Sequence, residues 1–190
     1  TPSTTTVVSP TTSPPSSPLR GFSTDRPLHA ELQKPDCNPE LVAELLADGG
    51  LPPHVGKRDE RARLPVHVVA MAGAQSEILT LLIEHGGATQ TLAQDVEGRV
   101  PLHYATQHDT GLDGCLYLLS VGGQRQLFVQ DAGGRLPIHL AAASNNNDSV
   151  LMHMFAVGGA RQLSATDCAG RTPLHYAAML NDSVAPVRYL

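Results

Sequence analysis

The fold is decided by one stretch near the end of the chain, Asp167-Cys168-Ala169-Gly170-Arg171-Thr172-Pro173-Leu174-His175-Tyr176-Ala177-Ala178. Related stretches precede it at a step of 36 residues. Four columns of residues share this step: His67, His103, His139 and His175; Pro65, Pro101, Pro137 and Pro173; Arg63, Arg99, Arg135 and Arg171; and Asp59, Asp95, Asp131 and Asp167. Four columns in one register indicate an internal repeat, and a period of this length is typical of stacked structural units.

Each unit is predicted to contain two short helices. Its proline suits the first turn of a helix, where a missing N–H costs nothing, and the run Leu140-Ala141-Ala142-Ala143 favours helix after it. A polar connector follows, and Leu151, Met154 and Phe155 then have the spacing of a second helix with one buried stripe. Glycine pairs are predicted to cap this second helix, and they are Gly86-Gly87, Gly122-Gly123 and Gly158-Gly159. The segment after each pair is predicted to be extended and to end in a turn at the next aspartate.

Two such helices cannot bury their apolar faces without neighbours. The units are therefore predicted to stack on one another and to share a continuous core. The physical consequence of the repeat is an all-α solenoid.

The stretch from Asp167 to Ala178 resembles the ankyrin repeat, whose signature is D-x-x-G-x-T-P-L-H-x-A-A. The stretches 95–106 and 131–142 resemble it nearly as well, and 59–70 keeps the aspartate, the proline and the histidine. A weaker unit begins at Asp25-Arg26-Pro27-Leu28-His29. The resemblance implies an ankyrin solenoid of five units, each a helix–turn–helix pair, with β-turn fingers between them.

The chain departs from the family pattern in three ways. Ala62 occupies a glycine position, and the threonine that caps the first helix is present only as Thr172. Since each lost hydroxyl cap costs about 1 kcal/mol, we expect a softer array than a consensus one. The period exceeds the family length of about 33 residues, and the extra residues are expected to lengthen the finger.

Three regions are predicted along the chain. Residues 1–24 form a disordered Ser/Thr/Pro-rich segment, because they offer too few large apolar side chains to offset the entropy cost of ordering. Residues 25–58 form a degenerate N-terminal ankyrin-like repeat. Residues 59–190 form four ankyrin repeats, and the last is expected to be truncated, since the next glycine pair of the period would fall beyond Leu190.

The Ser/Thr/Pro-rich segment contains three candidate phosphorylation sites. Ser9, Ser13 and Ser17 each precede a proline, which is the local form that proline-directed kinases accept. A phosphate there adds negative charge to a solvated segment. The alternative interpretation is a plain spacer.

Composition and charge exclude several classes of partner. A formal net charge of −5 and a pI near 5.9 provide no overall attraction to nucleic acid or to an anionic membrane, and no apolar stretch approaches the roughly 20 residues that span a bilayer. The three cysteines form no CxxC pair, which favours a reducing compartment. We expect an intracellular, cytoplasmic protein, with the nucleus as the alternative, and a monomeric module within a larger chain.

No constellation of residues predicts catalysis, a cofactor or a metal. The sequence contains no G-x-S-x-G, P-loop or G-x-G-x-x-G motif, and one histidine per unit is too widely spaced for shared coordination of zinc. The family resemblance implies that the histidines are structural. It implies the same for the other repeat positions, so that the structural set is Asp95, Gly98, Pro101, His103, Asp131, Gly134, Pro137, His139, Asp167, Gly170, Thr172, Pro173 and His175.

The arginine column has two interpretations. In ankyrin repeats the residue between the glycine and the threonine tends to face the concave, partner-binding side, which implies that these arginines contact acidic groups of a partner. Alternatively, each arginine pairs with the aspartate four residues before it and braces the turn. The resemblance places the candidate partner-binding residues on the fingers and first-helix ends: Arg63, Arg99, Arg135, Arg171, Glu97, Gln107, His108 and Ser144.

The predicted function is a non-enzymatic scaffold that binds a protein partner through the concave face and fingers of the stack. Such a stack fixes its side chains before binding, so that little conformational entropy is lost on association. The alternative is a regulatory or substrate-recruiting arm of a larger enzyme or channel whose active domain lies outside these residues.

Overall fold

The computed structural model of the chain describes residues 28–34, 37–47, 55–73, 75–107, 112–144 and 148–180. These ranges contain nine α-helices: α1 (Leu28–Leu32), α2 (Pro39–Ala47), α3 (Pro65–Ala72), α4 (Ser76–Gly86), α5 (Pro101–Gln107), α6 (Leu112–Gly122), α7 (Pro137–Ala143), α8 (Asp148–Gly158) and α9 (Pro173–Leu180). Segment 1–24, with Ser9, Ser13 and Ser17, lies outside the described residues, as does His108.

The helices form two layers that run along the stack. In one layer the first helices α1, α3, α5, α7 and α9 contact one another in that order, and in the other the second helices α2, α4, α6 and α8 do the same. One continuous cluster of buried aliphatic side chains joins the layers, and it includes Val66, Leu82, Leu102, Leu118 and Ile138. The predicted all-α solenoid is therefore confirmed.

The buried stripe of the second helices differs from the prediction at one residue. Leu151 and Met154 are buried in α8, but Phe155 is 37% exposed, so the prediction that it belongs to the buried stripe was wrong. Ile83 and Leu119 lie at the same position of the period and are buried. The helices that carry them each contact the second helix of the following unit, whereas no second helix follows α8 in the described part of the chain.

The segment after each second helix was predicted to be extended, but its start is not. It begins with a short 3₁₀ helix, and the three of these in the described ranges are Ala88–Leu92, Gln124–Phe128 and Ala160–Gln162. Each contains a buried glutamine whose side chain turns back to the preceding α-helix. Gln126 Nε2 donates to Leu118 O at 2.6 Å, and Gln162 Nε2 donates to Met154 O at 2.8 Å.

This glutamine explains the first glycine of each pair. A Cβ atom added at Gly122 would lie 2.2 Å from Gln126 Nε2, so that only glycine leaves room for the glutamine side chain. The glutamines Gln90, Gln126 and Gln162 follow the period of 36 residues. The 3₁₀ helix therefore occupies the start of the segment between each second helix and the next finger.

Four turns, which we call fingers, connect each unit to the next first helix and comprise residues 57–64, 93–100, 129–136 and 165–172. Each finger closes on itself, because the N–H of its aspartate donates to the carbonyl of its arginine, at 3.1 Å from Asp95 to Arg99. Backbone hydrogen bonds also join neighbouring tips: Val96 N–H donates to Arg61 O at 3.0 Å, Ala132 N–H to Glu97 O at 2.7 Å, and Cys168 N–H to Gly133 O at 2.9 Å. The fingers thus form one ladder.

Neighbouring fingers also approach each other closely at Gly134. This residue has a φ of 75°, and a Cβ atom added to it would lie 2.8 Å from the backbone nitrogen of Cys168. In the first finger Ala62 takes the equivalent place with a φ of 57°. The frame of the finger therefore imposes the left-handed conformation even on a residue that disfavours it.

The buried histidines connect consecutive units. His103 Nδ1 accepts the N–H of Val100 at 3.2 Å, which requires the neutral ring to carry its proton on Nε2. Nε2 then donates to Arg135 O in the next finger, 3.1 Å away. Equivalent contacts to the next unit are made by His29 to Arg63 O at 2.9 Å, His67 to Ala93 O at 2.9 Å and Arg99 O at 3.2 Å, and His139 to Ala165 O at 3.2 Å.

Burial controls the ionisation of these rings. It lowers the pKa of His103 to about 4, although the carbonyl of Arg135 opposes the shift. Burial also lowers the pKa values of His67 and His139. Protonation would convert Nδ1 from an acceptor into a donor that faces a backbone N–H. The folded state therefore keeps His67, His103 and His139 neutral, whereas in the unfolded chain these histidines bind protons near pH 6.5.

We expect the free energy of unfolding to fall as the pH falls from about 6.5 to about 4. Within this window the histidines bind protons in the unfolded chain but stay neutral in the folded protein. His103 alone lowers the free energy of unfolding by on the order of 3 kcal/mol across it. The pKa values of Asp59, Asp131 and Asp167 are lowered from 3.8, so their contribution is lost only at lower pH. Urea denaturation at a series of pH values measures the effect.

His103→Gln should destabilise the protein at pH 7 by roughly 1–3 kcal/mol, because one buried partner is lost, and should weaken the pH dependence. The control is His153→Gln, which changes an exposed histidine of α8. If the free energy of unfolding depends on pH equally in the two variants, His103 is not the source of the pH dependence.

Alanine substitutions at Gly134 and Gly170 test the contact between fingers. Both residues have a φ of 75°, so both substitutions carry the cost of the left-handed conformation, but only at Gly134 does the new Cβ meet the neighbouring finger. We expect Gly134→Ala to lose roughly 1–3 kcal/mol more than Gly170→Ala, as overpacking does in protein interiors. Chemical denaturation of the two variants measures the difference, and equal losses would show that the fingers are not in contact.

Candidate functional site

The aspartate of each finger organises the turn that carries the tip. Asp131 Oδ1 accepts the N–H groups of Gly133 and Arg135, both at 2.9 Å. The same pair of contacts occurs in the other fingers, at Asp59, Asp95 and Asp167. One carboxylate oxygen therefore fixes the backbone of the turn, and the other oxygen remains available to a side chain.

Three of the four arginines in the column bind the second oxygen of their own aspartate. The Nη2–Oδ2 distances are 2.7 Å for Arg63–Asp59, 2.7 Å for Arg135–Asp131 and 2.8 Å for Arg171–Asp167. In each case Nε donates to the same oxygen at 2.8 to 2.9 Å. In these three fingers the arginine therefore braces its own turn, as the second interpretation of the column predicts.

Arg99 departs from this arrangement. Its Nη2 lies 3.1 Å from Glu97 Oε2, and its Nε lies 3.6 Å from Asp131 Oδ2 in the next finger. The hydroxyl of Tyr104 donates to Asp95 Oδ2 at 2.5 Å. Glu97 explains the difference, because Arg61, Gly133 and Ala169 occupy its position in the other fingers and offer no carboxylate.

The braces hold their charges at neutral pH. Burial by itself would raise the pKa of Asp131, but the hydrogen bonds from Arg135 and from the backbone outweigh it and hold this pKa below its usual value. The pKa values of Asp59 and Asp167 are lowered in the same way. The Asp131 carboxylate in turn raises the pKa of Arg135. Each brace is therefore a charged pair throughout the physiological range.

Solvent access to the arginine column increases along the stack. The exposed fraction of the side chain is 13% for Arg63, 14% for Arg99, 28% for Arg135 and 42% for Arg171. The first two arginine side chains are largely covered, whereas the last two are more exposed.

The finger tips are the most accessible part of this face. Val96 is 62% exposed, and the tip residues Glu60, Arg61, Ala132, Cys168 and Ala169 are also exposed, while Glu97 is half-buried. Gln107 is exposed at the end of α5. Ser144 is half-buried after α7, and its hydroxyl donates to Thr106 O at 3.0 Å in the preceding first helix. The ends of α5 and α7 are thus connected to each other.

The remaining repeat positions lie at the start of each first helix. Pro101 and Pro137 are buried in the first turns of α5 and α7, and Pro173 begins α9. Gly98 and Gly170 have φ values of 71° and 75° at the ends of their turns. Thr172 and His175 interact through Oγ1 and Nδ1 at 2.8 Å.

The described residues contain no group of three or more histidine, cysteine or acidic side chains able to hold a metal ion. Burial raises the pKa of Cys115 to about 12, which keeps its thiol protonated and unreactive. No helix in the described ranges is both long and apolar enough to cross a bilayer. The chemistry that this face offers is hydrogen bonding, charge and close backbone approach.

Comparison with known proteins agrees with this architecture. A family model for three copies of the ankyrin repeat matches residues 28–127, and a model for a single ankyrin repeat matches residues 169–190. No curated protein matches the chain. Ankyrin repeats are typically non-catalytic and generally mediate protein–protein interactions. The chain belongs to the ankyrin repeat family.

Proposed function

We propose that this chain is a non-enzymatic scaffold and that it binds a protein partner through the finger tips and first-helix ends. We call this surface the finger face, and in ankyrin repeats it corresponds to the fingers and the concave side of the stack. One observation carries the proposal: exposed side chains that differ from unit to unit project from a backbone that is the same in every unit.

The first support is the rigidity of the finger face. Hydrogen bonds between tips connect all four fingers, and an aspartate fixes each turn from within, as Asp131 does for the third finger. A surface that is ordered before binding loses little conformational entropy on association. Affinity can then be supplied by few contacts.

The second support is the variation at the tips. The tip residues are Glu60 and Arg61 in the first finger, Val96 and Glu97 in the second, Ala132 and Gly133 in the third, and Cys168 and Ala169 in the fourth. Charge is thus concentrated at one end of the finger face, whereas small uncharged residues occupy the other end. A partner would make ionic contacts with the tips of the first and second fingers and pack closely against the tips of the third and fourth.

The arginine column contributes to this function mainly as bracing. Arg63 and Arg99 are largely covered, and we assign them the task of holding the turns. Arg135 and Arg171 also brace, but their side chains are more exposed and can donate hydrogen bonds to a carboxylate of the partner. Gln107 and Ser144 at the first-helix ends, with His108 outside the described residues, complete the proposed contacts.

A matched pair of arginine substitutions tests the proposal. Val96→Arg places a bulky charge on a finger tip, while Met152→Arg makes the same change at a residue of α8 that is 48% exposed. We expect Val96→Arg to reduce partner capture by about tenfold or more, because a central contact of an interface typically contributes 1–2 kcal/mol. Quantitative affinity capture of proteins from a lysate, with the intact chain as reference, is the measurement.

Circular dichroism melts establish that both variants remain folded, since neither side chain belongs to the core. If Met152→Arg loses the captured proteins and Val96→Arg retains them, the finger face is not the binding surface. If the intact chain captures no protein at all, binding itself is contradicted.

A further inference from the structure

The first finger carries a group of basic residues that the other fingers lack. Lys57, Arg58 and Arg61 are all exposed on it. In the later fingers the position of Lys57 is taken by Ala93, Val129 and Ala165. The position of Arg58 is taken by Gln94, Gln130 and Thr166, and that of Arg61 by Glu97, Gly133 and Ala169. The constant frame of the fold does not require these cations, because three other fingers form without them.

These cations line a cavity of about 440 Å³ between the first finger and α1. The opposite wall is formed by His29 and Ala30 of α1 and by Gln33, which follows this helix. The volume lies within the range of about 300–1,000 Å³ that is typical of ligand pockets.

A small side chain contributes to this cavity. Ala30 follows the histidine of α1, and in the later first helices the same place is taken by Val68, Tyr104, Leu140 and Tyr176. Those four side chains are large and buried, whereas Ala30 is exposed. The methyl group of Ala30 leaves open the volume that a larger residue fills in the other units.

The cavity has an excess of positive charge. Four cations line it, against the two carboxylates of Asp59 and Glu60, and the Asp59 carboxylate is already paired with Arg63 at 2.7 Å. Arg61 lies 3.9 Å from Glu97, which is a loose contact between exposed groups. The chain as a whole carries a formal charge of −5, so this is a local reversal of sign.

Arg58 is held ready to bind an anion. Its Nη1 donates to Ala62 O at 2.6 Å and to Gln94 O at 2.8 Å. These carbonyls fix the position of the guanidinium without neutralising it. A positioned guanidinium forms paired hydrogen bonds with a carboxylate, and such charge-assisted bonds are stronger than neutral ones.

We propose that this cavity binds an acidic peptide segment of a protein partner, with consecutive Asp or Glu side chains contacting Lys57, Arg58 and Arg61. The inference rests on the proposed function and names the chemistry of the partner at one end of the finger face. A peptide fits better than a nucleic acid, because Glu60 and the negative charge of the chain repel a long polyanion while a short acidic segment stays within the basic cavity.

The test uses the full chain and a fluorescein-labelled peptide, Gly-Ser-Glu-Asp-Glu-Asp-Ser-Gly, with a Gln/Asn version as the uncharged control. Fluorescence anisotropy measures binding to the intact chain and to two double variants. Lys57→Glu with Arg61→Glu reverses two exposed charges at the cavity. Arg125→Glu with Arg161→Glu makes the same change in net charge at exposed positions of the 3₁₀ helices.

We expect the acidic peptide to bind the intact chain at least about tenfold more tightly than the uncharged peptide, which corresponds to one charge-assisted contact. The cavity variant should lose this difference, and the distant variant should keep it. Absence of binding to the intact chain, equal binding of both peptides, or equal losses in both variants would overturn the proposal.

A second readout separates this proposal from the proposed function. The same variants are compared in the affinity capture experiment described above. If the intact chain and the cavity variant retain the same partner, the finger face binds protein but the acidic-peptide assignment is wrong. If the intact chain retains none, the proposed function fails together with the inference that rests on it.

Discussion

The stack depends on a neutral histidine that is buried between two consecutive units. On one side the ring accepts the N–H at the start of its own first helix, and on the other it donates to a carbonyl at the base of the next finger, as His103 does with Val100 and Arg135. This contact requires one fixed distance between helix and finger. The contact recurs at a step of 38 residues from His29 to His67 and of 36 residues from His67 to His103, and each time it joins a first helix to the finger of the next unit.

The sequence predicts the helices because their signals are local. Proline begins the first helices, glycine pairs follow the second helices, and a repeat of the whole pattern predicts stacking. The 3₁₀ helices were missed, because a glutamine such as Gln126 acts through a bond from its side chain to the backbone eight residues earlier, which local propensity does not describe. The column of three glutamines at the period was the available signal. Phe155 was misassigned because its burial depends on a helix of another unit.

Part of the candidate site could likewise be predicted from the sequence, and part could not. The finger positions and the Asp–Arg spacing can be predicted from the period. The partners of Arg99 cannot, because they are Glu97 and the Asp131 of the next finger, which come close to it only in three dimensions. The basic cavity lies between the first finger and α1, where Ala30 replaces the larger residues of the later units. Constant residues therefore build the frame, and differences between units at fixed positions determine what the finger face can bind.

The finger tips form one ordered ladder before any partner binds. Hydrogen–deuterium exchange of the free chain, resolved by NMR at the amides of Val96, Ala132 and Cys168, tests it most directly. Because each amide donates to the preceding finger, we expect exchange to be slower than in the unfolded chain by roughly a hundredfold or more, as for amides released only by local opening. Exchange of all three amides at the rate of the unfolded chain would contradict a preformed binding face.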